Sequence, residues 1–335
     1  MPRLSISFAK TVFRLSTTLK SNRMFSALSA ITSVLLLTAT GWFLRRRNFI
    51  PRERWSGMED LSYWVLFPAI IVFNVGTSDF STMPVRDIAI AVLGTFSLLA
   101  LLCLVLQRFL KKKFEVSGPR FTSIFQGVVR WNGFIAMAIA ANSFGEEGVA
   151  LVAVIMAIMI PAANLLCVIV LAVYAGGSAP SPKTLARELI KNPFIVSVAA
   201  GALINVSGGQ IPQIISNYLT FLGSAALPIA VLCVGAALDL RALRRPGPAL
   251  TSALLVRNLL APAIALCFAL GLGLDEISAT IVVLVFSVPS AGASFVLAKK
   301  MGGDAKLMAE ILTLQTVAAA ITIPAWLVVV AYLIG

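Results

Sequence analysis

The sequence predicts an all-α polytopic membrane protein: ten transmembrane helices in two inverted five-helix repeats, with helices four and nine broken. Three observations lead there. Of 335 residues, 59% are hydrophobic and 12% charged, with a mean hydropathy of +0.94. A water-soluble domain carries about 25% charged residues. The apolar residues fall into ten runs near the ~20 residues that a spanning helix needs. The cations collect in alternate connections between those runs.

The runs are 25–44, 61–77, 88–108, 121–143, 148–175, 193–207, 214–238, 249–274, 277–298 and 307–334. Four units follow: a basic Ser/Thr-rich tail (1–23), a first five-helix repeat (24–175), a linker (176–192) and a second, inverted repeat (193–335). Arg45, Arg46, Arg47, Arg52 and Arg54 lie in the first connection, and Arg108, Lys111, Lys112, Lys113 and Arg120 in the third. Lys183, Arg187 and Lys191 occupy the fifth, Arg241, Arg244 and Arg245 the seventh, and Lys299, Lys300 and Lys306 the ninth. The even connections hold only Arg86. Cytoplasmic loops are enriched in Lys and Arg. The odd connections are therefore expected in the cytoplasm, with both termini on the other side.

The net charge of +13 is thus a topological label, not the footprint of a nucleic-acid binder, which does not distribute its charge between long apolar runs. The tail is the exception, with five cations, seven Ser/Thr and no acid on the outer side. It reads either as a transit-like peptide or as an extension from an upstream start codon, with Met24 the working start; the second is preferred because the first run begins there.

Chemistry of several kinds is excluded. The chain has no histidine, so Ser-His and Cys-His pairs, imidazole metal sites and histidine proton relays are absent. Cys103, Cys167, Cys233 and Cys267 stand singly in apolar runs and read as packing residues. No enzyme, no cofactor and no metal site is expected.

Weak internal matches give the repeat its hand. LFPAIIVFNVGTSDF (66–80) aligns with LPIAVLCVGAALDL (227–240), pairing Pro68 with Pro228 and Asp79 with Asp239. The two aspartates read as caps or gate ion pairs. Phe144-Gly145-Glu146-Glu147-Gly148 pairs with Met301-Gly302-Gly303-Asp304-Ala305 at an offset of 157, which places Asn132 opposite Pro289. Each lies twelve residues before its loop, about 18 Å along a helix and near the bilayer midplane. Five spans per half, an odd number, invert the second half, and interrupted helices at the midplane mark secondary transporters.

Arg130 and Arg257 are the cations well inside the spans. A charge at that depth faces a cavity or a partner. Arg130 lies in Arg130-Trp131-Asn132-Gly133, where glycine loosens the helix and Asn132 replaces freed backbone groups. In Ser287-Val288-Pro289-Ser290-Ala291-Gly292, Pro289 breaks span nine. Two broken helices meeting there would present positive dipole ends and unpaired N–H groups to an anion. Arg130 reads either as a fork for a carboxylate or as a snorkelling or ion-paired residue. For Arg257, nearer the cytoplasmic end, snorkelling is the preferred reading. Asn74 and Asn164 are buried amides suited to interhelical hydrogen bonds, with a substrate contact the alternative for Asn74.

Four segments resemble the auxin efflux carrier family of membrane permeases, distantly the PIN-type carriers: GWFLRRRNFIPRERWSGMEDLSYWVLFPAIIVFNV (41–75), FQGVVRWNGFIAMAIAANSFGEEG (125–148), KNPFIVSVAAGALINVSGGQIP (191–212) and VPSAGASFVLAKKMGGDAKLMAE (288–310). The resemblance runs in order from about Met24 to the end. It implies ten helices in two inverted repeats, with helices four and nine crossing near the midplane. It further implies carriage of small organic anions such as indole-3-acetate, malate or malonate. The crossover residues it points to are Asn132 with Gly133 and Pro289 with Ser290.

PIN-type carriers have a proline beside the crossover asparagine where this chain has Trp131, which either narrows the cavity or stacks on a substrate. The long hydrophilic loop of many plant members is missing, which favours a compact bacterial permease of the inner membrane. The expected partners are a small organic anion, the lipid bilayer, H+ or Na+ as a coupling ion, and a second copy in a homodimer. An alternating-access carrier is the preferred function, with helices one, two, six and seven as scaffold. A passive anion channel and a non-transporting ligand sensor are the alternatives.

Overall fold

The computed structural model describes residues 32–334, apart from 81–82, 177–180, 182, 184–186, 188–189, 209, 239 and 241–246. The basic tail, most of the linker and Asp239 lie outside the described residues. Every regular element among those described is helical.

Residues 32–46 form α1. Then come α2 (Arg52–Leu61), a π-helical turn (Ser62–Leu66), α3 (Phe67–Thr77), α4 (Val85–Phe114), α5 (Gly118–Val129) and α6 (Gly133–Ala175). The second half gives α7 (Pro193–Val206), α8 (Gln213–Ala237), α9 (Pro248–Leu255), a second π-helical turn (Val256–Leu260), α10 (Ala261–Gly271), α11 (Glu276–Ser287), α12 (Ala293–Lys300) and α13 (Ala305–Leu333). Among the described residues, six helical stretches are long and apolar enough to cross a membrane: Glu53–Thr77, Val85–Phe114, Gly118–Ala175, Gln213–Ala237, Pro248–Gly271 and Ala305–Leu333. The first of these is longer than the run read from the sequence, because α2 and the π turn continue into α3. Pro193–Val206 and Glu276–Ser287 are apolar but shorter.

The two π turns share a cause. Each ends two residues before a proline, Pro68 or Pro262. Proline lacks an N–H and its ring clashes with the carbonyl four residues back. Both helices widen ahead of it: Phe67 N–H bonds the Ser62 carbonyl, and Ala261 N–H bonds that of Val256. Such bulges are common at functional sites, and the second one carries Arg257.

The two predicted breaks are present. Helix α5 ends at Val129, and Arg130 is extended at φ −85°, ψ 152°. Helix α11 ends at Ser287, and Val288 is extended at φ −70°, ψ 152°. Both helices are twelve residues long. Further on, α6 bends sharply at Gly145, where φ is 59°, and the chain turns between α12 and α13 at Gly302, where φ is 78°. An L side chain rarely adopts that conformation, so the matched glycines of the two halves mark matched turns.

Contacts sort the connections as the charges do. Arg45 donates to the carbonyl of Ala236 at the end of α8. Asn192, at the end of the linker, donates to Tyr63 Oη at 3.2 Å. Asp304 N–H bonds the Pro119 carbonyl at 3.2 Å, Ser123 Oγ donates to the Asp304 carbonyl at 2.8 Å, and Arg120 lies 3.9 Å from the Asp304 carboxylate. All of these join cation-rich connections or the helix ends beside them. At the opposite ends, Asn205 donates to the carbonyls of Val75 and Gly76 in the last turn of α3 and of Ser78 just past it.

Helix α3 packs against both α7 and α8, while α5, α9, α10, α11 and α13 surround the breaks. Helix α6 touches both groups. An aromatic cluster marks that seam: Phe134, one residue past Gly133, stacks on Phe67 of α3 with ring centroids 4.5 Å apart, and Phe194 of α7 leans on both.

Candidate functional site

The two breaks meet. Asn132 N–H donates to the Pro289 carbonyl at 2.7 Å, a bond between residues that the sequence pairs across the repeat. Around this bond four helix ends converge, two carboxyl ends (α5 and α11) and two amino ends (α6 and α12).

A helix leaves its last four carbonyls without intrahelical partners, and in an apolar interior each must find one. At the end of α5, the Gln126 carbonyl accepts from Arg130 N–H at 3.0 Å and Ser290 Oγ at 3.3 Å. The Gly127 carbonyl accepts from Gln315 Nε2 at 2.9 Å, and that of Val128 from Arg257 Nη1 at 3.0 Å. At the end of α11, Arg257 Nη2 bonds the Val285 carbonyl at 2.7 Å and Arg257 Nε that of Val288 at 2.8 Å. The carbonyl ends of both broken helices are therefore tied down by one guanidinium, one amide and one hydroxyl.

Arg257 corrects an expectation. Its position eight residues into the run suggested snorkelling, yet it is 0% exposed. The π turn aims it inward, and carbonyl dipoles, not a headgroup, receive its charge. Gln315 is the residue that sequence reasoning missed. Fully buried in α13, it bonds Gly127 and Ala253 carbonyls (2.9 and 3.1 Å) and accepts from Ser290 N–H at 3.0 Å. A lone amide within an apolar run was the available signal.

The amino ends are treated differently. Asn132 caps α6, its Oδ1 accepting from the N–H groups of Phe134 and Ile135 at 3.1 and 3.2 Å. Its amide nitrogen has no protein partner among the described residues. Ser290 is 1% exposed and shares its hydroxyl with Gln126 and Ser294. Helix α12 has no side-chain cap, and Gly292 and Ala293 at its start are exposed. Arg130 Nη1 donates to Asn164 Oδ1 of the far half of α6 at 2.7 Å, while its Nε is buried without a partner. The Asn164 reading as an interhelical amide thus has its partner. Gln126 is fully buried with both amide atoms unpartnered.

The remaining predicted residues fall as follows. Trp131 is 6% exposed and packs in the apolar core. Gly133 leaves room for Met156, whose Cε would lie 2.7 Å from a Cβ there. Asn74 is buried in α3 and donates to the Ile70 carbonyl of its own helix at 2.7 Å, so this bond does not reach the breaks. Asp79 lies just past the end of α3. Among the described residues no cluster of His, Cys, Asp or Glu could hold a metal.

What remains chemically is a pair of positive helix ends with spare donors beside them. That suits an anion.

The sequence pattern of the family described as "Membrane transport protein" matches residues 180–327. Over 307 residues the chain is 23% identical to an uncharacterized transporter of Methanothermobacter thermautotrophicus, covering 89% of this chain and 97% of that one. Over 287 residues it is 24% identical to a Rhizobium meliloti protein provisionally named a malonate transporter, covering 82% of this chain and 88% of that one.

Proposed function

We propose that this chain, whose residues 180–327 match the membrane transport protein family, is an alternating-access carrier of small carboxylates. The substrate is held at the crossover, between Asn132 with Gly133 and Pro289 with Ser290, and Arg130 supplies the charge. One observation carries this reading: the electrostatic sorting of the four helix ends. Both carboxyl ends are neutralised by Arg257 and Gln315. The amino ends keep spare donors, namely the Asn132 amide, the uncapped start of α12 and Arg130 Nε. A cation there meets carboxyl ends that already carry the Arg257 guanidinium and the Gln315 amide. An anion meets two helix dipoles and a guanidinium.

Other findings support the architecture that goes with it. Two twelve-residue half-helices, matched breaks and matched glycine turns fit two inverted five-helix repeats. Apolar runs 25–44 and 193–207 then count as spans alongside the longer helices. The clustering of cation-rich connections fits odd connections in the cytoplasm and both termini outside, in a bacterial inner membrane. In this reading helices one, two, six and seven form a scaffold, and the aromatic seam at Phe67 and Phe134 is where the crossover unit slides past it. The name given to the Rhizobium meliloti relative makes malonate the first ligand to try.

Thermal-shift measurements of purified protein against mono- and dicarboxylates test the site, since a ligand stabilises the state that binds it. Malonate or a close analogue is expected to raise the unfolding midpoint. Counterflow in proteoliposomes then separates the alternatives. A carrier gives saturable counterflow, a channel gives none, and a sensor binds without flux. Repeating it with Na+ replaced by choline, and with the proton gradient collapsed, reads the coupling ion.

A further inference from the structure

Arg257 enters neither the substrate contacts proposed above nor the sequence-derived site, yet its guanidinium bonds both half-helices. Each helix carboxyl end carries about half a negative charge, so two brought together repel with a combined charge of roughly −1. One guanidinium of charge +1 lies between them. Its planar fork reaches three carbonyls on two helices at once, which a lysine ammonium on a flexible stem cannot do in a fixed geometry. None of its hydrogen bonds goes to a carboxylate: the partners are Val128, Val285 and Val288 carbonyls, and the Phe286 ring lies 5.9 Å away. A charge 0% exposed at this depth is retained where it has a task.

We infer that Arg257 is the positioning residue of the crossover. Its guanidinium, clamped between the carboxyl ends of α5 and α11, locks the two half-helices into one unit and so sets the approach of Asn132 to Pro289. The consequence for transport rests on the carrier reading; the clamp itself does not. Without the clamp three buried carbonyls lose their donor, the two ends repel, and the Asn132–Pro289 bond opens. The two amino ends then no longer face one substrate.

The test uses the full chain in nanodiscs and proteoliposomes, with malonate as the probe. Hydrogen exchange at the Asn132 amide reads the bond to Pro289, and counterflow gives KM and Vmax. Arg257→Met is expected to speed exchange at Asn132 and raise the malonate KM by about tenfold or more, the scale set by misplaced binding groups. Arg257→Lys keeps the charge without the fork and is expected to fall between the two. Arg257→Gly leaves a space for free guanidinium, which at low millimolar concentration is expected to restore slow exchange and a low KM to that variant alone; this keeps the test available should the Met variant not insert. Wild-type KM and wild-type exchange in Arg257→Met would overturn the inference, as would the absence of any guanidinium effect on Arg257→Gly. Should the wild-type chain bind and carry no carboxylate, the carrier reading fails, while the exchange measurement still decides the role of Arg257.

Discussion

Two arginines stand at the crossover, and the difference between them separates scaffold from site. Arg257 uses three donors on three backbone carbonyls and is wholly enclosed. Arg130, two residues past the Arg257-bound carbonyl of Val128, gives one bond to Asn164 and leaves a buried Nε unpaired. Unpaired buried polar atoms are rare because each forfeits the hydrogen bonds it had in water. Arg257 is satisfied by the protein alone. In the carrier proposed above, the first holds the site together and the substrate supplies the partner that Arg130 Nε lacks.

Variants at both ends of the crossover can break that contrast. The largest effect is expected for Gln315→Leu, on the saturated side: two carbonyls and one N–H lose their partner, at a cost of about 3 kcal/mol or more. Its unfolding midpoint in detergent should drop well below wild type, and flux should fall with it. Arg130→Gln, on the waiting side, should leave the midpoint of the empty protein close to wild type. It should raise KM by about tenfold to a hundredfold, the worth of one charged hydrogen bond. A large loss of stability in Arg130→Gln would erase the distinction drawn here. Asn164→Leu removes only the residue that orients Arg130, and a rise of a few-fold in KM is expected, from a bond of about 0.5–1.5 kcal/mol. Gly133→Ala should do least. Its Cβ meets the flexible end of Met156, a side chain that shifts at a cost below about 1.5 kcal/mol; a modest fall in thermal midpoint with counterflow retained is the expected result.

The breaks were legible because their causes are local. Gly133 loosens a helix and Pro289 removes a backbone donor; because Pro161, Pro228 and Pro324 lie inside helices that continue past them, it is the 157-residue offset joining Gly145 to Gly302 that singles out Asn132 and Pro289. The satisfaction of the freed carbonyls was not legible. Arg257 looked like a snorkelling residue because sequence gives depth along a helix but not the direction of a side chain, and the π turn at Val256–Leu260 alters that direction. Gln315 announced itself only as a polar residue in an apolar run; its three partners come from three other segments of the chain. Asn132 was read both as a stand-in for freed backbone groups and as a crossover residue; its oxygen does the first by capping α6, which leaves the amide nitrogen without a protein partner among the described residues. In span two, the sequence showed Asn74 as a buried amide without revealing that it turns back onto its own helix.

The central claim is that a carboxylate binds where the two breaks meet. Counterflow of malonate in proteoliposomes bearing Asn132→Leu or Pro289→Ala tests it most directly. The first variant removes the amide nitrogen and the α6 cap, worth about 1 kcal/mol; the second restores an N–H and lets α11 continue toward α12. Both are expected to reach the membrane in normal amount and to abolish counterflow. Undiminished counterflow in both variants would contradict the account.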